Sequence, residues 1–557
     1  MRRCGLTCTL LATLTLTPGL LSAQSVRGLG DDALTAPRGA IRVQFSTSIT
    51  DFSQRYGKGT PGRPDGSLEP LGQDFSIDSL GVAQFPGLAA AETALRSLTG
   101  NAAFRLTLGR SVLTSSVRTQ TTPIALEAGL TNWLSIGVMV PIVSARKQVS
   151  FNLNSRVGDG NVGANPARFE AAAADTNARL VNQMTAARAA FVTRYDGCVA
   201  TPSGTGCAQV LASGAELIGN AQTFIQNLQQ VYGTTRGAGA AFVPVVGSAA
   251  DSIIRTRVTN FRTQYERFGV TSLLPATVGP RRAATMTPAT LQRAIADTTL
   301  GLLAAPFGTV THQGLGDIEV AVKLRLFDSF GLSSDTVRFQ PRGLNFRQSV
   351  AGVYRLGTGS IDDPDDYLDI GTGQGQNDVE LRSFTDITYG RKFFASLIAR
   401  YTVQLADEQE RRITDRPEDA FAPAYRQRLV SRDLGDQLEV EITPRWILSD
   451  FFSIGAQYLI RNKAEDSYSG QFQVPISESG LSSPLVLDAS TLRFETAELE
   501  QRVGFGMTFS SVASHARGKA KLPIEVQYFN SRTVSGSGGA VSKLSIHQLQ
   551  IRLYPRR

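Results

Sequence analysis

Residues 123–143, PIALEAGLTNWLSIGVMVPIV, decide the fold. They read as two strands joined by a few residues around Thr131, Asn132 and Trp133. Leu134, Ile136, Val138, Val140 and Ile142 fall on one face, and Ser135, Gly137 and Met139 on the other. A period of two means a strand between two different environments. The apolar side faces either a protein core or lipid.

The pattern recurs further along the chain. In GDIEVAVKLRLF, Ile318, Val320, Val322, Leu324 and Leu326 oppose Asp317, Glu319, Lys323 and Arg325. Val379, Leu381, Ile387 and Tyr389 oppose Asp378, Glu380, Arg382 and Asp386. Leu397, Tyr401 and Val403 oppose Ser396, Arg400 and Thr402, while Leu438, Val440, Ile442 and Trp446 oppose Glu439, Glu441, Thr443 and Arg445. Phe452, Ile454 and Tyr458 oppose Ser453, Gln457, Arg461 and Lys463.

These segments run ten residues or more, against roughly 5–6 for an ordinary strand and about 9–11 for a tilted membrane-crossing one. Short turns at Asn132, Gly390-Arg391 and Asp450 alternate with long loops at 58–100, 358–377, 407–434 and 466–490. A soluble antiparallel sandwich would alternate too. Length and loop asymmetry favour lipid: an all-β membrane barrel of about 12 antiparallel transmembrane strands. The even number returns both ends to the periplasm. Connections 328–345 and 511–522 are long for periplasmic turns, and segment 103–130 is long for one strand. Trp133, Tyr389, Phe393, Trp446 and Phe451 lie beside tight turns and are expected to form an aromatic girdle.

Residues 1–23 carry Arg2 and Arg3, an apolar stretch and Ser22-Ala23, the pattern of a secretory signal peptide. The remaining chain has no apolar run long enough for a transmembrane helix. The formal net charge of +8 drops to +6 without Arg2 and Arg3. The mature part keeps Cys198 and Cys207, which are expected to pair as a disulfide in an exported protein. The organisation expected is then signal peptide 1–23, barrel strands 1–3 in 24–153, a mainly helical insert at 154–313 and the remaining strands in 314–557. The insert is alanine-rich with helical spacing, has Gly233 and Gly269 as stops and Thr287-Pro288 as a start, and predicts three or four helices. By parity it lies on the extracellular side. It caps the mouth, plugs the lumen or decorates the surface.

The polar faces place Glu319, Lys323, Arg325, Glu380, Arg382, Asp386, Arg400, Glu439, Glu441, Arg445 and Arg461 toward a lumen, with Glu127, Asp378, Glu500, Glu525, Lys463 and Arg502 beside them. Acids and bases nearly balance, which predicts no strong ion preference. Either they line a polar channel or they form a salt-bridge network that stiffens the wall. Asp362, Asp363, Asp365, Asp366 and Asp369 crowd one outer loop and form a candidate calcium loop. The plainer reading is a solvated acidic loop, and no metal site is assigned. Gly371, Gly373 and Gly375 lack the lysine of a phosphate loop. Ser545 and His547 share a face of the last strand with no third partner evident. No catalytic residue and no cofactor are assigned.

The segments PIALEAGLTNWLSIGVMVPIV, GLGDIEVAVKLRLF and DIGTGQGQNDVELRSFTDITYGRKFFASLIARY resemble the barrel family of outer-membrane transporters linked to the meta pathway of phenol degradation. The fatty-acid-transporter class is a more distant likeness. The resemblance covers the barrel and not 154–313. It implies uptake of small aromatic or hydrophobic compounds and supplies no catalytic residues. Such barrels usually end on an aromatic residue; this chain has Tyr554 followed by Pro555-Arg556-Arg557. The expected function is a porin-like channel or transporter for passive passage of small, hydrophobic or aromatic solutes. The alternatives are a structural or surface-interaction barrel with an occluded lumen and a partner-binding insert, and a lipid-modifying enzyme. The expected partners are the lipid bilayer of the bacterial outer membrane, small-molecule solutes and the barrel assembly machinery. No nucleic acid is expected, and the chain is read as a monomer.

Overall fold

In the computed structural model the described residues are 32–57, 59, 64–156, 158–270, 279–329, 343–390, 392–416, 419–479, 481, 483–516 and 518–553. The signal peptide, Arg391 of one turn, most of connection 328–345 and the terminal Tyr554 lie outside them.

Twelve strands close into one antiparallel barrel. They are β1 (Ile41–Phe52), β2 (Ser111–Gly129), β3 (Leu134–Leu153), β4 (Val310–Leu315 continued by Ile318–Asp328), β5 (Leu344–Leu356), β6 (Asp378–Tyr389), β7 (Phe393–Gln404), β8 (Gln437–Ile447), β9 (Phe452–Lys463), β10 (Glu498–Ser510), β11 (Ile524–Ser537) and β12 (Ser545–Leu553). Each pairs with its sequence neighbours, and β12 pairs with β1 to close the ring. Closure leaves no unpaired edge, which is what hydrocarbon demands of a spanning sheet. β4 is interrupted at Gly316 and Asp317. Its two pieces pair with β3 one residue out of register, the mark of a bulge. β2 begins at Ser111, so residues 103–110 are not barrel strand.

The outer face decides between core and lipid. Phe45, Ile124, Leu126, Ile136, Val138, Val322, Leu381, Ile442 and Phe505 stand exposed on it, while Ser135, Glu380, Asp386, Ser396, Glu439 and Glu441 are buried within. A water-soluble sheet would do the reverse, so the apolar surface belongs to lipid. At the rim of tight turns Trp133, Tyr389, Trp446 and Phe451 are exposed. Phe393 packs edge-on against Trp446 at 5.8 Å.

The opposite rim carries the long connections. Four helices rise from the one after β3. Helix α1 (Ala89–Thr99) precedes them in the chain, within residues read from sequence as plain loop. The four are α2 (Ala171–Ala200), α3 (Cys207–Tyr232), α4 (Ala249–Arg267) and α5 (Pro288–Ala296). The Cys198–Cys207 disulfide ties the end of α2 to the start of α3. Gly233 ends α3 at φ 70°, a left-handed conformation that favours glycine. Ser248 caps α4, and Thr287 with Thr290 forms a reciprocal cap on α5.

One apolar core joins these helices to the barrel mouth. It holds Leu180, Phe191, Phe224 and Ile254 from the helices and Leu113 and Leu153 from the inner face of β2 and β3. It also holds Leu368 and Phe421 from loops on the other side. Phe75 packs edge-on against both Phe307 and Phe421 at 5.4 Å. The helices therefore sit over the mouth as a cap bonded to loops around it. The loops at 407–434 and 466–490 are also more ordered than read from sequence. Asp407–Arg412 and Gln427–Asp433 pair as a hairpin that extends the wall.

Candidate functional site

The interior of the barrel is the candidate site, built by the inward half of each alternating strand. Arg355 on β5 is a hub. It donates to Glu319 on β4 at 2.9 Å and to Asp378 and Glu380 on β6 at 2.6 and 2.9 Å. The register places these side chains in one row, since Arg355 lies opposite both Glu319 and Asp378. Arg382 closes the cluster onto Glu319 at 3.0 Å and Glu380 at 2.5 Å.

The pairing continues around the wall. Arg400 on β7 is fully buried and meets Glu439 and Glu441 on β8 at 2.6 and 2.9 Å. Gln457 on β9 donates to Glu441 at 2.6 Å. Arg461 reaches Glu498 and Glu500 at 2.6 and 3.2 Å, and Arg502 holds Glu500 at 2.6 Å. Arg552 pairs with Glu525 at 3.3 Å, Arg42 with Glu127 at 2.9 Å, and Lys463 with Asp466 at 2.5 Å. Arg325 and Arg347 share Asp328 at 3.0 and 3.2 Å. The Arg445 guanidinium lies over the Phe394 ring at 5.4 Å. Buried ions survive when each finds a partner of opposite sign. The result is a polar wall of matched pairs. Arg42, Arg347, Arg355 and Arg552 were missed in the sequence reading.

A segment before β1 crosses this interior at the tight-turn end. Asp32, Ala33, Thr35 and Ala36 are all buried. The Ala33 amide donates to Asp386 Oδ2 on β6 at 2.9 Å, and Ser349 Oγ on β5 donates to the Ala33 carbonyl. Lys323 Nζ on β4 donates to the Asp32 carbonyl at 2.6 Å and lies over the Phe384 ring at 4.2 Å. At the far end the Ala36 amide donates to Glu127 on β2 at 3.2 Å, and the Arg38 amide to Asn132 Oδ1 at 3.2 Å. A Cβ on Gly129 would meet the Pro37 and Ala36 carbonyls at 2.0 and 2.3 Å, so only glycine admits the chain there. Residues 32–38 thus form a strap strung as a chord across the ring.

Over the mouth, the acidic loop is distributed onto bases. Arg411 takes Asp362 at 2.8 Å, Arg412 takes Asp365 at 2.5 Å, and His312 lies 2.9 Å from Asp369. Asp366 accepts from the Leu368 amide at 2.9 Å, and burial raises its carboxyl above the usual range. No group of three potential metal ligands gathers among the described residues, so the loop does not converge as the calcium reading expected. Tyr367 donates to the Ala422 carbonyl at 2.5 Å, and burial pushes its phenol up to about 12. Ser545 and His547 face outward from β12. Tyr528 Oη and His547 Nδ1 are 2.9 Å apart, so the imidazole is engaged away from Ser545.

No family profile matches the chain, and no curated protein does. Among solved structures it is similar to an outer membrane channel from Pseudomonas putida F1, at 7% identity over 94% of this chain and 99% of that one, with a TM-score of 0.40. The CymD monoaromatic hydrocarbon channel gives 6% identity over 93% and 90%, with a TM-score of 0.27. The translocator domain of the autotransporter NalP from Neisseria meningitidis gives 6% over 93% and 90%, with a TM-score of 0.30. The fold itself rests on this chain's own closed ring of strand pairs: it is a twelve-stranded membrane-spanning β-barrel with a helical region packed at one mouth.

Proposed function

We propose that the chain is an outer-membrane channel for passive passage of small solutes, held closed by the strap of residues 32–38. The observation that carries this is the strap. A wall needed only for rigidity has no use for a separate segment across its bore. This one is attached by a few hydrogen bonds, each worth about 1–3 kcal/mol net, rather than by a sheet pairing. The ion-pair wall is the candidate lumen lining, and the near balance of charge supports uncharged cargo. The cargo class we favour is small hydrophobic or aromatic compounds, as the family resemblance implies. The long-loop rim faces outward and the strap faces the periplasm.

A second reading is a surface-interaction barrel. The continuous apolar core between helices and mouth favours it, because a sealed cap is a presentable domain. Proteoliposome uptake separates the two. The comparison uses the full chain, a form lacking 32–36 and a form lacking 160–306, offered a neutral aromatic solute and a charged one of similar size. Faster entrance of the neutral solute on strap removal supports the channel. Silence from all three, in protein shown folded by heat-shifted gel mobility, overturns it and leaves the interaction reading.

A further inference from the structure

A group of cations also stands on the outside of the barrel. On the outer wall near the long-loop rim, the register aligns Arg532, Ser545, Asp51, Arg118 and Arg146 in a single row across β11, β12, β1, β2 and β3. This is the outward face, the same one that carries Phe45, Ile124 and Leu549. The row borders a recess of about 620 Å³ whose lining also includes Lys543. Arg118 holds Asp51 at 2.6 Å and remains exposed, and Lys543 donates to Gln54 at 3.1 Å. Arg146 and Arg532 are exposed and form no ion pair among the described residues.

Two features of this row call for an anion. Arg118 and Arg146 stand directly opposite one another on the same face, where like charges destabilise a sheet. Four cations also share one carboxylate, whereas the lumen pairs its charges closely. The depth says where the anion comes from. Along β1 the outward residues run Phe45, Thr47, Ile49 and Asp51, and along β3 they run Val140, Ile142, Ser144 and Arg146. At about 3.3 Å per residue the charged row lies roughly 7 Å along the strands beyond Ile49. That is just past the apolar band, at the level of lipid headgroups.

We propose that this recess binds the phosphate-bearing headgroup of an outer-leaflet lipid, with Arg146 and Arg532 as the principal contacts and Arg118 and Lys543 beside them. Guanidinium forks match phosphate oxygens in paired hydrogen bonds. The bound phosphate neutralises the Arg118–Arg146 repulsion, and the lipid chains run down the apolar wall below. The proposal does not depend on whether the lumen conducts.

The test is native mass spectrometry of the delipidated full chain in detergent. The probe is a bisphosphorylated diglucosamine lipid, offered against the same lipid with its phosphates removed. The expected result is selective retention of the phosphorylated form, weakened roughly fivefold for each of Arg146→Ala and Arg532→Ala. Arg146→Lys should keep part of the binding. Lys521→Ala, an exposed cation on the opposite rim, should keep all of it. Heat-shifted mobility confirms that each variant is folded. Equal retention of the two lipids, undiminished binding in the double variant, or displacement of the lipid by inorganic phosphate alone would each overturn the proposal.

Discussion

Ala33 and Asp386 lie 353 positions apart in the chain and meet inside the barrel, where the Ala33 amide donates to the carboxylate at 2.9 Å. Asp386 also accepts from Ser396 at 2.8 Å, so the wall fixes the carboxylate before the strap reaches it. One fixed acceptor therefore helps to hold a segment across the bore. Replacing Asp386 by Ala removes a buried charge-assisted bond, a loss of about 1.5–3 kcal/mol. The detached population of the strap should rise about tenfold or more. Proteolysis at residues 32–38 in detergent should speed up accordingly, and an unchanged rate would show that the strap is held elsewhere.

Arg355 compensates three carboxylates at once: Glu319, Asp378 and Glu380. Arg355→Leu leaves them facing one another, with Arg382 still pairing to Glu319 and Glu380. The expected loss is roughly 3–5 kcal/mol, read as a lower denaturant midpoint for heat-shifted mobility. Arg355→Lys keeps the charge but not the fork and should fall between.

Val138 is 38% exposed on the outer wall and Ser135 is fully buried on the inner. Val138→Arg should therefore cost roughly 2–4 kcal/mol when the barrel is folded into bilayers. A soluble sheet would accept arginine at an exposed position with little change, so a neutral result would reverse the in–out assignment.

The disulfide joins two adjacent helices of the cap and no barrel strand. Cys207→Ser should destabilise the cap by about 2–3 kcal/mol. Trypsin should then cut within 171–232 sooner, while heat-shifted mobility of the barrel stays the same. A loss of barrel mobility shift would mean that cap and barrel fold as one unit.

Tyr367 binds its proton more tightly in the folded cap, where burial pushes the phenol from 10.0 up to about 12. Tyr265 on α4 is pushed to about 12 for the same reason. A raised folded value means that their stabilisation is full below pH 10 and is lost as pH climbs toward 12. The helical signal should therefore melt progressively between pH 10 and 12, and a cap equally stable across that window would contradict the burial.

The strands were legible because the wall has different solvents on its two faces, and a period of two records that directly. Leu397, Tyr401 and Val403 could go only outward, and Ser396 and Arg400 only inward. Arg355 was missed because the inward face of its strand, LNFRQSVAGVYRL, turns apolar at Ala351 and Val353 just before it, which blurs the alternation there. Helix α1 was missed because its eleven residues lie inside a long connection, and its buried side is defined by α3 and α4, which come much later in the chain. The strap left no pattern at all. It is held largely through backbone groups, and Asp32, Ala33 and Ala36 carry no periodic signal for a partner 353 positions away.

Single-channel conductance in a planar bilayer tests the strap most directly, comparing the full chain with a form lacking residues 32–36. Both must show the folded mobility shift. A closed or rarely open full chain that becomes a steady conductor on deletion is the predicted result. Equal current from both forms would contradict a closing strap, and silence from both would mean that the bore is sealed by its own ion pairs or by the cap.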